Sequence, residues 1–156
     1  MDSAVIREAG QADIPRLVDL LGELFSLEHD FTPDAEKQQR GLRLILDHPE
    51  RGRIFVARQG DEVIGMVNAL FTISTAEGGP VILLEDLIIA APHRGRGIGG
   101  LLVRHVLCWA QCKGFLRVTL LTDRDNAGAV GFYERNGFVR SGMEVLRVGL
   151  GNEIAQ

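Results

Sequence analysis

Cysteine is scarce, with only Cys108 and Cys112 in 156 residues, and this excludes a disulfide scaffold and any cysteine-rich zinc site. Spaced four apart on a predicted helix, the two read as small apolar residues in the buried position usual for a free cysteine. His29, His48, His93 and His105 fall into no metal-ligating spacing, so no metal is expected. No apolar run approaches the roughly 18 residues that cross a bilayer, so no membrane partner is expected. Met1-Asp2-Ser3 lacks the basic-then-apolar layout of a signal peptide, and a cytoplasmic location follows as the expectation. Positive charge is not in excess either: the formal net charge is −4, whereas a nucleic-acid partner calls for a basic surplus. No lysine followed by a hydroxyl residue closes a glycine-rich turn, which excludes a P-loop.

What the chain does have is apolar content, 46% by residue, enough for the core of one ordinary domain spanning 1–156. Ala4 to Glu8 alternates as a short first strand. Ile14, Leu17, Val18, Leu20, Leu21, Leu24 and Phe25 follow at helical spacing, with Pro15 in the first turn. A second helix is predicted from Asp34 to about Asp47, ended by Pro49. Glu28, Asp30, Asp34 and Glu36 between these helices form either an acidic rim that attracts a cationic amine or a solvated connection with helix-start carboxylates.

Arg53 to Gln59 and Val63 to Ser74 read as strands joined at Gly60-Asp61-Glu62, and Val81 to Ala90 returns as the next strand of an antiparallel meander. A helix carrying Ile98, Leu101, Leu102, Val106, Leu107 and Ala110 then leads to a strand from Arg117 to Thr122, parallel to its predecessor. A short helix over Ala127 to Arg135 follows, and Phe138 to Leu150 is expected to supply one or two last strands. The apolar positions Val145, Leu146, Val148 and Leu150 there suggest pairing at a sheet edge and hence a homodimer.

The stretch that organises the chain is residues 81–105. A buried strand meets Pro92, then Arg94-Gly95-Arg96-Gly97-Ile98-Gly99-Gly100, and a helix begins at once. Strand, glycine turn and helix start place unpaired N–H groups and the positive end of a helix dipole around one point, which suits a phosphate. Gly95, Gly97 and Gly99 are expected to take positive φ and to allow close approach of the backbone to an anion, and His93, Arg94 and Arg96 add charge. A Rossmann reading on Gly95, Gly97 and Gly100 fails, because the strand sits mid-chain after other strands.

The order Arg-x-x-Gly-x-Gly after a long strand, on Arg94, Gly97 and Gly99, resembles the acyl-coenzyme A signature of the GNAT family of N-acetyltransferases. A second motif, Asn126 followed by Tyr133 and Asn136-Gly137-Phe138, resembles that family's other cofactor-side pattern. The resemblance implies an α/β (α+β) fold: a mixed, mostly antiparallel sheet of six to seven strands, about four flanking helices, and one parallel strand pair that diverges at a bulge to admit the pantetheine arm. It implies transfer of an acetyl group from acetyl-CoA to an amine by direct attack. Leu87, Ile88 and Ile89 would run beside the pantetheine, with strand N–H groups near Ile88 and Ile89 on the thioester oxygen, and Gly95 to Gly100 with Ile98 would hold the diphosphate. Tyr133 would protonate the departing thiolate, and Asn126 would fix backbone or cofactor amides or cap its helix.

For the base, Glu85 and Asp86 interrupt an apolar strand and should face opposite sides. Glu85 is chosen because it shares parity with Leu87 and Ile89. A non-catalytic acyl-CoA-binding module stays open as the second reading.

Overall fold

Residues 3–28 and 32–151 are described by the computed structural model, so the expectations placed on His29 and Asp30 lie outside the described residues. The chain divides into two units after Asp123. The first contains a sheet of five strands in the order β1-β2-β3-β4-β5. These are β1 (Val5–Glu8), β2 (Gly52–Gln59), β3 (Glu62–Ser74), β4 (Gly79–Ile89) and β5 (Val118–Leu120). β1 to β4 pair antiparallel and β5 lies parallel to β4, as the meander and the intervening helix require. Among the described residues three α-helices belong to this unit, α1 (Ile14–Leu27), α2 (Ala35–Leu46) and α3 (Ile98–Cys112), and α4 (Ala127–Arg135) belongs to the second.

An aspartate precedes both α1 and α2. Asp13 precedes α1 and accepts from the Gly10 N–H at 2.8 Å, while its carboxylate also meets Arg7 at 3.3 Å and Arg58 at 3.6 Å. Asp34 caps α2 through the Lys37 N–H at 3.2 Å, which gives this member of the acidic connection a structural job. One face of the sheet packs Ile54, Val56, Met66 and Ile88 against Ile14, Leu17, Leu20, Leu21 and Leu42 of α1 and α2. Alternation puts Phe55 on the other face, where its ring meets Trp109 of α3 edge-on at 5.2 Å. Phe71 and Phe115 complete that aromatic cluster.

Three expectations need correction. The sheet has five strands among the described residues, not six to seven, because residues 138–150 form no ladder. Apolar alternation marks a segment that is able to pair, but a strand exists only with a partner, and here Val139, Met143, Leu146, Val148 and Leu150 are all more than 80% exposed. β5 is also shorter than the predicted 117–122, at Val118–Leu120. Finally, Cys108 and Cys112 are exposed and unpaired. The buried stripe of α3 runs through Ile98, Leu102, Val103, Val106 and Ala110, and a 100° helical step turns positions 108 and 112 away from it.

Candidate active site

β4 is interrupted where its sequence turns from apolar to acidic. On β3, Asn68 faces Glu85 and Met66 faces Ile88, so one residue too many lies on β4 between these pairs. This is a β-bulge, and Asp86 within it has a φ of 58°, the one positive-φ residue other than glycine among the described residues. Asp adopts that conformation more readily than most side chains, because its short polar group bonds locally. The bulge breaks parity. Glu85 shares a face with Ile88, not with Leu87 and Ile89, so the alternation that singled it out does not carry across the irregularity. Glu85 itself is exposed.

Asp86 is partly buried and accepts a hydrogen bond from Asn68 Nδ2 at 2.7 Å. Burial pushes its carboxyl up from 3.8 to about 6, with the charges of Glu85 and Glu28 acting the same way and the Asn68 bond opposing them. Asn68 is only 3% exposed, and its Oδ1 is buried with no donor among the described residues. Sequence reasoning weighed Asp86 and missed Asn68. The signal was one amide in an apolar strand, which names no partner until the register is known.

β5 follows β4 only from Ile82 to Leu84, pairing with Val118 to Leu120. Beyond Leu84, β4 runs on to Ile89 with no strand on that side among the described residues. The main chain of Ile88 faces β3, its carbonyl oxygen lying 3.2 Å from where a Cβ on Gly65 would stand, and the Ala90 N–H bonds to the Ile64 carbonyl at 2.8 Å. Alternation therefore turns the N–H and C=O of Ile89 to the open edge. The two residues expected to serve together are thus separated: Ile89 presents backbone there, and Ile88 packs into the core.

The chain then makes a short 3₁₀ turn, Ala91–His93, and reaches the glycines. Gly95 and Gly97 have φ of 77° and 81°, and a Cβ at either would meet nothing within 4 Å, so the backbone is exposed and approachable. Gly97 is the N-cap of α3, and the N–H groups of Ile98, Gly99 and Gly100 in the first turn have no carbonyl one turn back to bond to. Gly99 lies within this first turn without a positive φ, contrary to the positive φ expected of it together with Gly95 and Gly97.

The arginines divide their work. Arg94 donates from Nε to the Ile89 carbonyl at 2.8 Å and its guanidinium lies 3.7 Å from Glu23 of α1, so it braces the turn against β4 and α1. Arg96 contacts His93 Nδ1 at 3.4 Å and is exposed. Arg104, which sequence reasoning missed, folds back along α3 until its guanidinium nitrogen is 2.8 Å from the Cβ position of Gly100. It stands one turn past Gly100, where a helical side chain points toward the N-terminus and adds charge to the same point. An open cleft of about 430 Å³ beside Arg94 is lined by Gly22, Glu23, Ser26 and Leu27 of α1.

In the second unit, Asn126 caps α4, its Oδ1 accepting the Ala129 N–H at 3.0 Å. Tyr133 lies in the last turn of α4, half-buried, with its ring edge-on to Phe132 at 5.1 Å and to Phe138 at 5.7 Å. Gly137 has a φ of 94° and follows the helix end, which lets Phe138 turn back so that its N–H reaches the Tyr133 carbonyl at 3.1 Å. The Asn-Gly-Phe triplet therefore closes the helix and packs the tyrosine ring.

A mixed sheet whose parallel pairing ends at Leu84, ahead of a glycine turn and a helix N-terminus, is the arrangement that the family resemblance implies, and comparison with known proteins shows the family. The sequence model of the Acetyltransferase (GNAT) family matches residues 14–138, and the chain belongs to that family. Rat N-acetyltransferase 8F1 (Rattus norvegicus) is 36% identical over 95 residues, which is 61% of this chain and 43% of the relative. The chain thus spans less than half the length of the curated relatives it matches. A possible acetyltransferase from Clostridium difficile 630 superposes with a TM-score of 0.86 at 16% identity, over 96% of this chain and 99% of the other. The aminoglycoside N-acetyltransferase AAC(6')-Iy, solved in complex with CoA, gives a TM-score of 0.81 at 18% identity, over 96% of both chains. Among the described residues no group of His, Cys, Asp and Glu could hold a metal ion, and no helix is long and apolar enough to cross a membrane.

Proposed function

We propose that this chain, acting as one acetyltransferase domain, moves an acetyl group from acetyl-CoA to a primary amine of a small molecule or protein, by direct attack in a ternary complex. The observation that carries this reading is the open edge of β4 beyond Leu84, followed directly by the glycine turn at the start of α3. An extended, amide-bearing arm is able to bond to a strand edge as an added strand would, and a diphosphate suits the N–H groups and arginines at the turn. Acetyl-CoA has both parts in that order.

In this reading the Ile89 N–H stabilises the negative charge that develops on the thioester oxygen. Ile98, Gly99 and Gly100 hold the diphosphate with Arg96 and Arg104. A carboxylate of the Glu85 and Asp86 pair receives the amine's proton, and Tyr133 donates to the departing thiolate. The Tyr133 role rests on the motif it shares with the family.

The test is release of free thiol from acetyl-CoA with and without a panel of primary amines. Amine-dependent release supports the transferase, and CoA binding without it leaves a non-catalytic acyl-CoA-binding module. A homodimer is also proposed, supported by the exposed apolar positions Val145, Leu146, Val148 and Leu150. Light scattering that gives one chain's 17.1 kDa across a wide concentration range would remove it.

A further inference from the structure

The open end of β4 is tied to α1 through one side chain. Two peptide planes meet at Ile89. In the first, the Ile88 carbonyl faces β3 and the Ile89 N–H faces the open edge. In the second, the Ala90 N–H bonds to the Ile64 carbonyl at 2.8 Å, and the Ile89 carbonyl accepts from Arg94 Nε, also at 2.8 Å. No strand among the described residues pairs with that outer carbonyl, so Arg94 is what holds it.

Arg94 is held in turn by Glu23. A guanidinium is planar, with Nε and Nη2 on one edge, so a single orientation sends Nε to Ile89 and Nη2 toward the Glu23 carboxylate, 3.7 Å away. The two side chains are 43% and 38% exposed, and a pair so open to solvent adds little to the stability of the fold. What it does decide is which of the many arginine rotamers is kept.

We propose that Glu23 is a positioning residue for acetyl transfer: by holding the Arg94 guanidinium it keeps the Nε donor on the Ile89 carbonyl, and so keeps the Ile89 N–H aimed at the thioester oxygen. This rests on the transferase reading and adds to it a residue of α1 that acts only through Arg94. Glu23 also lines the open cleft of about 430 Å³ beside Arg94, with Ser26 and Leu27, where a free carboxylate would draw in a cationic amine. Its charge is already met by Arg94, so it offers an amine less than an unpaired carboxylate would.

The experiment measures kcat and the KM of the amine for thiol release with the best amine of the panel at saturating acetyl-CoA, the Kd for CoA by titration calorimetry, and Tm. The proteins are the wild type, Glu23→Ala, Glu23→Gln, Arg94→Ala and the Glu23→Ala, Arg94→Ala double variant. Glu23→Ala should lower kcat about 10-fold, a fraction of the roughly 10²- to 10³-fold cost of losing a whole oxyanion donor, with amine KM, Kd and Tm close to wild type. Glu23→Gln keeps an oxygen for Nη2 but no charge, and its kcat should fall between the two. Added to Arg94→Ala, Glu23→Ala should cost nothing more, because the group it holds is gone. Losses that multiply in the double variant overturn the proposal. A raised amine KM with unchanged kcat gives Glu23 the role of attracting the amine, and a CoA Kd that rises as far as kcat falls reduces the ion pair to a brace for the turn; either result overturns it too. Wild-type kcat in Glu23→Ala refutes the positioning role alone, whereas a wild type without amine-dependent thiol release refutes the transferase reading itself.

Discussion

Arg94 donates from Nε to the carbonyl oxygen of Ile89 at 2.8 Å, joining the glycine turn to the last residue of β4. The same guanidinium lies 3.7 Å from Glu23, so three elements meet on one side chain. Arg94→Ala should raise the Kd for CoA about 10-fold, or 1.4 kcal/mol, by releasing the turn from the strand. Arg94→Lys should recover little, since an ammonium cannot reproduce a donor at the Nε position while reaching Glu23. Isothermal titration with CoA measures both, and equal affinity of Arg94→Lys and wild type would reduce Arg94 to a point charge.

Gly97 separates conformation from charge. Nothing lies within 4 Å of its Cβ position, so a side chain there meets no protein atom, but a φ of 81° disfavours one. Gly97→Ala should destabilise the fold by about 1 kcal/mol through strain alone, read by urea unfolding. Gly97→Asp should bear a similar strain and also lose the CoA-induced thermal shift, because it puts a negative charge where a diphosphate is proposed to lie. If both variants respond to CoA like the wild type, the diphosphate binds elsewhere.

Arg104 supplies a third test, through salt. Exposed and folded toward Gly100, it is proposed to act on the diphosphate electrostatically rather than as a brace. Arg104→Ala should weaken CoA binding about 3- to 10-fold at low ionic strength, and the difference should narrow toward about 1 M salt, where screening acts over about 3 Å. A deficit that does not change with salt would mean a packing role for the side chain.

Legibility in the sequence followed the range of the interactions concerned. The helical stripe of Leu17, Leu20 and Leu21, the start of α2 next to Asp34 and the positive φ of Gly95 and Gly97 are local patterns, and each appears as read. The bulge is not local. It arises from how Glu85 to Ile88 register against Met66 to Asn68, and Asp86 carries no glycine-like mark of its positive φ. A parity rule applied through that point places Glu85 with the wrong neighbours. Arg104 was equally hidden, because its charge matters only once α3 is known to begin at Ile98. The last apolar residues alternate well enough for strands, yet alternation supplies no partner, and residues 138–150 remain without one among the described residues.

Tyr133→Phe removes the phenolic proton donor and keeps the ring that packs on Phe132 and Phe138. With Tyr133 as the acid, turnover should fall about 10- to 10³-fold while the Kd for CoA stays nearly unchanged. The range lies below that of many general acids because a thiol of pKa about 8.5 is already a fair leaving group. The deficit should shrink with an acetyl donor built on a more acidic thiol. Full turnover in Tyr133→Phe assigns the residue to packing and the proton to water.

Asp86 makes a last prediction that concerns stability rather than turnover. Its carboxyl is raised from 3.8 to about 6, first by burial and then by Glu85, with Glu28 adding to the rise and the Asn68 bond opposing it. The folded protein therefore binds this proton more tightly than the unfolded chain does. Between those two values the folded state holds more proton, so stability falls as pH rises through the window and stays lower above it. Asp86→Asn has no charge to bury, suits the positive φ, and keeps an oxygen for Asn68 Nδ2. Its Tm should exceed that of the wild type at about pH 7.5, and the difference should close as pH falls below about 4, where the wild-type carboxyl is protonated in both states. A more stable variant that turns over slowly would show that the charge is kept for chemistry at the expense of the fold. If thermal melts find the same Tm difference at every pH, the Asp86 charge is not what burial penalises, and its value as a poised base goes with it.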